Sequence, residues 1–107
     1  MVVTADGEID IDTAPELERG LVAALDAATA ATPAAIVVLD LTGATHLDSN
    51  GLNMLVRCND LGGRRGVSLR LVVSTRRVLR PITATGLDGV FTIHPTLEGA
   101  LAAVNRR

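Results

Sequence analysis

Apolar and polar positions along this chain alternate between two rhythms. Val2 to Asp6 reads as a short strand that enters a turn at Gly7. After Asp10-Ile11-Asp12, Thr13 and Glu16 have the spacing of a capping box, and Pro15 sits where a first helical turn tolerates it. Leu17, Leu21, Ala24, Leu25 and Ala28 then recur at helical spacing, and this helix is expected to end near Thr32-Pro33. Ala35 to Leu41 is a dense, largely β-branched apolar run. It has the pattern of a strand buried on both faces, hence a central parallel strand. Thr42 to Leu47 reads as a loop.

A second helix is predicted from Ser49-Asn50, with Leu52, Leu55, Val56 and Asn59 on one face and Gly62-Gly63 as its stop. Val67 to Val73 predicts another strand. Thr75 opens a third helix through Val78, Leu79 and Ile82, which Pro81 should distort and Gly86 should end. Val90 to Ile93 predicts a short strand. Thr96 is a weak cap for a last helix whose buried face is Leu97, Ala100, Leu101 and Val104. Strands and helices thus alternate, which predicts an α/β fold: a mixed, largely parallel central sheet of about four strands covered by helices.

The 107 residues are one domain's worth, so a single domain over 1–107 is expected. With 48% hydrophobic and 21% charged residues the chain can form a core rather than stay disordered. Phe91 is the only aromatic residue, which argues against the stacking platforms of single-stranded nucleic-acid binding. The net charge of −2 lacks the usual footprint of duplex binding, so no direct nucleic-acid partner is expected. Cys58 stands alone, so no intramolecular disulfide and no Cys-x-x-Cys motif is available, and a reducing compartment is expected. The first residues lack a basic, then apolar, leader pattern, and no apolar run approaches the roughly 20 residues that span a bilayer. A cytoplasmic location with no membrane contact follows as the expectation.

Candidate chemistry is sparse. Ser49, His46 or His94, and Asp48 could be drawn as a triad, but no Gly-x-Ser-x-Gly elbow surrounds the serine. His46, His94 and Cys58 lack metal-ligand spacing, so no metal or cofactor is expected. Gly62-Gly63-Arg64-Arg65-Gly66 lacks the Gly-Lys-Ser/Thr end of a phosphate loop and follows a helix rather than a strand. Cys58 on the second helix has two readings, inert buried packing, which is the commoner outcome for such a cysteine, and a redox sensor. Asp48-Ser49-Asn50-Gly51 has the composition of a helix N-cap, with Ser49 itself able to cap. A phosphate on Ser49 would sit where free N–H groups and the positive dipole end tolerate it, while adding about −1.5 to −2 charges to the surface.

Four blocks in order resemble a STAS domain of the anti-sigma factor antagonist (anti-anti-sigma factor) type. They are Gly7-Glu8-Ile9-Asp10 with Thr13; Val37 to Leu41 followed by Leu47-Asp48-Ser49-Asn50-Gly51-Leu52; Leu69 to Val72; and Thr85-Gly86-Leu87-Asp88 with the closing Thr96 to Leu101 segment. The resemblance covers nearly the whole chain. It implies no catalysis by this protein but partner switching. The unphosphorylated form binds an anti-sigma factor that is also a serine kinase, releasing a bacterial sigma factor. The kinase then phosphorylates Ser49, and a serine phosphatase restores it. It further implies that Asp10 and Asp48 lie near Ser49, and that Asn50, Gly51 and Leu52 form the partner-binding surface. Two departures stand out. Only Val2 to Asp6 precede the Gly-Glu block, so the N-terminal strand region is shortened, which exposes a sheet edge and invites a homodimer. Asn50 replaces a small hydroxyl residue common in the family. The alternative implied by the same domain is a binding module of a transporter, a lipid-transport ABC complex or a stressosome-like scaffold.

Overall fold

The structure, a computed structural model, describes residues 1–31 and 35–102. Its framework is set by one strand. The run Ile36–Asp40 (β3) places Val37, Val38 and Leu39 completely out of solvent, as the apolar pattern requires of a strand covered on both sides. β3 pairs in parallel with Val2–Thr4 (β1) on one side and with Ser68–Val72 (β5) on the other, and β5 pairs in parallel with Thr92–His94 (β6). The sheet order is β1-β3-β5-β6. The expected largely parallel sheet of about four strands is thus present, and every pair in it is parallel.

Alternation along β3 and β5 divides the interior. Val37, Leu39, Leu69 and Leu71 face the main core, which also holds Leu21 and Leu25 of Ala14–Ala31 (α1) and Met54, Leu55 and Cys58 of Ser49–Arg64 (α2). Val38 and Val72 point to the opposite face, where Ala100 of Leu97–Ala102 (α4) covers them. Arg70 also lies buried and donates from Nη1 to the Ala100 carbonyl at 2.6 Å. The helix Arg76–Ala84 (α3) completes the set, with Val78 and Ile82 buried.

Several expectations are corrected. The segment expected to be a loop before α2 contains a strand, Ala44–Leu47 (β4), paired in parallel with Gly7–Ile9 (β2) as a separate two-stranded sheet. The expected single strand from Val2 to Asp6 therefore ends at Thr4, and the chain crosses to the second sheet at Gly7. That residue adopts φ +76°, which a side chain would resist, and the β2–β4 register slips beside it.

The capping box at Thr13 does not form. The Thr13 hydroxyl is occupied instead by the Glu8 carbonyl, to which it donates at 2.7 Å, and by the Asp10 amide, from which it accepts at 2.9 Å.

Gly62-Gly63 does not stop α2 either, and the helix continues to Arg64. It closes in a Schellman arrangement: the Val67 amide donates to the Gly62 carbonyl at 2.8 Å, the Gly66 amide to Gly63 at 3.3 Å, and Gly66 takes φ +72°. Gly62 is needed for a different reason, since a Cβ there would meet the Val67 carbonyl at 2.9 Å.

Pro81 lies inside α3, which ends at Ala84 with Gly86 in the left-handed region. The strand expected from Val90 begins at Thr92, because Val90 closes a 3-10 turn at Leu87–Gly89 and is left exposed. Thr96 does cap α4, accepting from the Gly99 amide at 3.0 Å. Leu101, expected to be buried, is exposed. Among the described residues the apolar cluster on the α4 side is small: Val38, Val72 and Ala100, with Ile36 and Leu97 packed against them. The expected end of the first helix near Thr32-Pro33, and Val104, lie outside the described residues.

Candidate functional site

The β2–β4 pair builds the site. Its strands run in parallel with Ile9 opposite Leu47, so the next residue of each, Asp10 and Asp48, leaves from the same end of neighbouring strands. Neighbouring strands lie about 4.8 Å apart, and the carboxyl ends of parallel strands are where α/β folds place ligand and partner sites. The Asp48 amide also donates to the Ile9 carbonyl at 3.2 Å, which extends the ladder by one residue.

Asp48 is the N-cap of α2. Its backbone is extended and its carboxylate accepts from the Gly51 amide at 3.0 Å. The sequence allowed Ser49 to cap the helix, and this is corrected: Ser49 is the first helical residue, exposed, and its hydroxyl has no hydrogen-bond partner among the described residues. The carboxylate beside it satisfies the orphan amide and complements the positive helix end. The serine hydroxyl is therefore free of structural duty.

Gly51 explains how close this helix start sits to the small sheet. A Cβ at that position would lie 2.6 Å from Leu47 Cδ1, 2.9 Å from Ile9 Cγ2 and 3.0 Å from the Ile9 carbonyl oxygen. Gly51 and Leu52 are buried, whereas Asn50 is exposed beside Ser49. Thus Asn50 and Ser49 offer surface, and Gly51 and Leu52 fix the height at which they are presented.

Asp10 is held by its own loop. Its carboxylate accepts from the Asp12 amide at 3.0 Å and the Thr13 amide at 3.2 Å. These bonds, the Thr13 amide first, hold the Asp10 carboxyl below its ordinary value, with smaller help from the Thr13 hydroxyl and the His46 charge. Asp10 stays ionised at neutral pH, on a rigid turn. Asp10, Asp48, Glu8, Thr45, His46 and Arg77 line one open depression. His46 stands opposite Glu8 in the β2–β4 register, so its place is decided by strand pairing rather than by a catalytic arrangement with Ser49. The sequence does not single out Arg77, because Thr42 to Leu47 has the pattern of a loop and nothing along the chain ties α3 to the depression.

The remaining candidates lie elsewhere. Cys58 is buried on α2 beside Met54, and burial pushes its thiol up to about 11. His94 is on β6, half-buried, with Nε2 shielded from solvent and unbonded among the described residues. No group of three or more His, Cys, Asp or Glu side chains among the described residues is placed to hold a metal ion. No helix among them is long and apolar enough to cross a membrane.

Comparison with known proteins agrees with this geometry. The STAS domain family model matches residues 1–100. The chain is 34% identical over 103 residues to the anti-sigma-F factor antagonist RsfA of Mycobacterium tuberculosis, covering 96% of this chain and 78% of that relative. Among solved structures, an anti-sigma factor antagonist from Mycobacterium paratuberculosis superposes with a TM-score of 0.77 at 36% identity, covering 96% of this chain and 83% of that one. A sulfate transporter family protein from Wolinella succinogenes shares the fold at 19% identity, with a TM-score of 0.77 and coverage of 94% and 80%. The parallel sheet, the helix start built on Asp48 and Gly51, and these matches together place the chain in the STAS domain family.

Proposed function

We propose that this protein is an anti-sigma factor antagonist whose hold on its partner is switched off by phosphorylation of Ser49. The observation that carries the reading is the division of labour at the start of α2. Asp48 caps the helix, which leaves the exposed Ser49 hydroxyl without a structural role. The naming of the mycobacterial relatives as anti-sigma factor antagonists supports the same partner class. The transporter-module alternative has only a shared fold in its favour.

In this reading the unphosphorylated protein presents Ser49 and Asn50, flanked by Asp10 and Asp48, to an anti-sigma factor with serine kinase activity. Gly51 and Leu52 seat that surface. A sigma factor is released in exchange, and the protein acts by binding in the cytoplasm rather than by catalysis. Phosphorylation adds about −1.5 to −2 charges next to two carboxylates. An acidic group of the partner brought within about 4 Å of that phosphate, at an effective dielectric near 20, costs about 4 kcal/mol, and each 1.4 kcal/mol is tenfold in affinity. A hundredfold loss of partner affinity therefore needs no backbone movement. The fold tolerates the group because it sits at the positive end of α2. A serine phosphatase resets the surface.

The test is phosphosite mapping after incubation with ATP and each purified anti-sigma-type kinase from the same genome. Phosphate on Ser49 alone, absent from Ser49→Ala, is the expected result. Ser49→Ala should bind the kinase constitutively and Ser49→Asp about a hundredfold more weakly. Equal affinity of the two variants, or phosphate elsewhere only, would sink the reading.

A further inference from the structure

We propose that the exposed arginines of α3, Arg76, Arg77 and Arg80, form a basic second half of the partner-binding surface and receive an acidic segment of the anti-sigma factor. This rests on the antagonist reading above and adds the chemistry of the contact.

The first ground is continuity. Arg77 lines the same depression as Asp10, Asp48 and His46, so the acidic rim beside Ser49 reaches α3 at that residue, and Arg76 and Arg80 line a neighbouring recess on the same helix. The second is the use of arginine across the chain. Arg57 is paired with Glu18, Arg64 with Asp60 and Arg65 with Asp26, and Arg70 is buried against the Ala100 carbonyl. Arg19 has no ion pair among the described residues either, but it stands in a recess beside the acidic Glu18 and Asp26. Arg76, Arg77 and Arg80 are all exposed and have no ion pair among the described residues, and α3 carries no acidic residue at all.

The third ground is that the fold gains nothing from this placement. Arg76 and Arg77 occupy the first turn of α3, where the helix dipole is positive and acids are the stabilising residues. Thr75 at the N-cap makes no side-chain bond there to offset this. Two cations placed against the local field, unpaired and facing solvent, fit an anion supplied from outside. The neighbouring Glu8, Asp10 and Asp48 would repel a continuous polyanion such as duplex DNA. A protein segment with its acids opposite α3 fits the arginines without spreading along the acidic rim, and those same acids would stand near a phosphate placed on Ser49. Such a charge-matched contact fixes the orientation in which Ser49 is presented and speeds encounter.

The experiment measures association of the purified anti-sigma factor from the same genome with wild type, the Arg76→Glu/Arg77→Glu double variant, Arg80→Glu and Arg77→Lys, at low and physiological salt. Ser49→Asp runs in parallel. The double variant should bind at least tenfold more weakly, mainly through slower association, with a smaller dependence on salt. Arg80→Glu should weaken binding in the same sense, and Arg77→Lys should retain most of the affinity. The melting temperature of the double variant should equal or exceed that of wild type, since acids suit that helix turn.

Binding of the double variant within twofold of wild type, with Ser49→Asp still weakened, would overturn the α3 surface and leave the antagonist reading standing. Failure of wild type to bind any anti-sigma factor would remove that reading and this inference with it. Loss of binding that appears only in variants with lowered melting temperature would assign the arginines to the fold and overturn the inference. Retention of a labelled DNA duplex by wild type, but not by the double variant, would equally overturn it.

Discussion

Replacing Gly51 by alanine sets two effects of known size against each other. Inside a helix, alanine is favoured over glycine by about 1 kcal/mol, because glycine loses more backbone freedom on folding. At Gly51 the added methyl would fall 3.0 Å from the Ile9 carbonyl oxygen and 2.6 Å from Leu47 Cδ1. Leu47 and Ile9 are both buried, so neither can swing away into solvent. The Ile9 carbonyl is further fixed by the Asp48 amide at 3.2 Å. Overpacking of a well-filled site costs about 1–3 kcal/mol. The net expectation is a loss of about 0–2 kcal/mol, even though the helix propensity improves.

Gly63 is the internal control. It lies in the same helix, is exposed, and a Cβ there would meet nothing within 4 Å. Gly63→Ala should therefore gain about 0.5–1 kcal/mol. Urea denaturation gives both numbers as midpoint shifts at unchanged slope. Thermal melts should show the same signs, at roughly 4–8 °C per kcal/mol for a domain near this size. A Gly51→Ala variant stabilised as much as Gly63→Ala would refute the close approach of α2 to the β2–β4 pair. The placement of Ser49 argued above would fall with it.

Further expectations concern two titrating groups. Cys58, buried and with its thiol pushed up to about 11, should resist thiol reagents at pH 8 in the folded protein and react fully in denaturant. Rapid labelling of the native protein would show the α2 packing to be wrong. Asp10 has its folded value below that of the unfolded chain, because the Thr13 and Asp12 amides bond its charged form. Its contribution is therefore present above the ordinary aspartate range and is lost as pH falls through the lowered folded value. NMR titration of the Asp10 side chain should give a midpoint below the ordinary aspartate value, and Asp10→Asn should flatten the acid limb of the stability profile. A midpoint at or above that value would refute the loop geometry.

The elements with strong periodicity were legible in the sequence. Val37 to Leu39 could only be a strand covered on both faces, and Leu21, Leu25, Leu52 and Leu55 recur at helical spacing, so the α/β alternation and its core followed from burial alone. The Asp48 to Gly51 segment was readable as a helix start because those residue types satisfy orphan amides. Its division of roles was not, since Asp and Ser are near-equal caps and only the tertiary setting decides which side chain turns back to the Gly51 amide.

The β2–β4 pair was likewise invisible. Ala44 to Leu47 is buried at its two ends only and does not alternate, so it is a strand solely because β2 pairs with it, and both strands are too short to carry a period of their own. That non-local pairing is what brings Asp10 next to Asp48 and sets His46 opposite Glu8 in the depression shared with Arg77. Gly62, Gly63 and Gly66 show the same limit. Their residue type was plain, but which of them takes the left-handed turn and which admits a passing carbonyl depends on where Val67 returns to the sheet. Burial and capping act within a few residues and can be read along the chain. Register between distant strands is fixed by contacts that exist only after the chain has folded, so the site was decided by the tertiary structure.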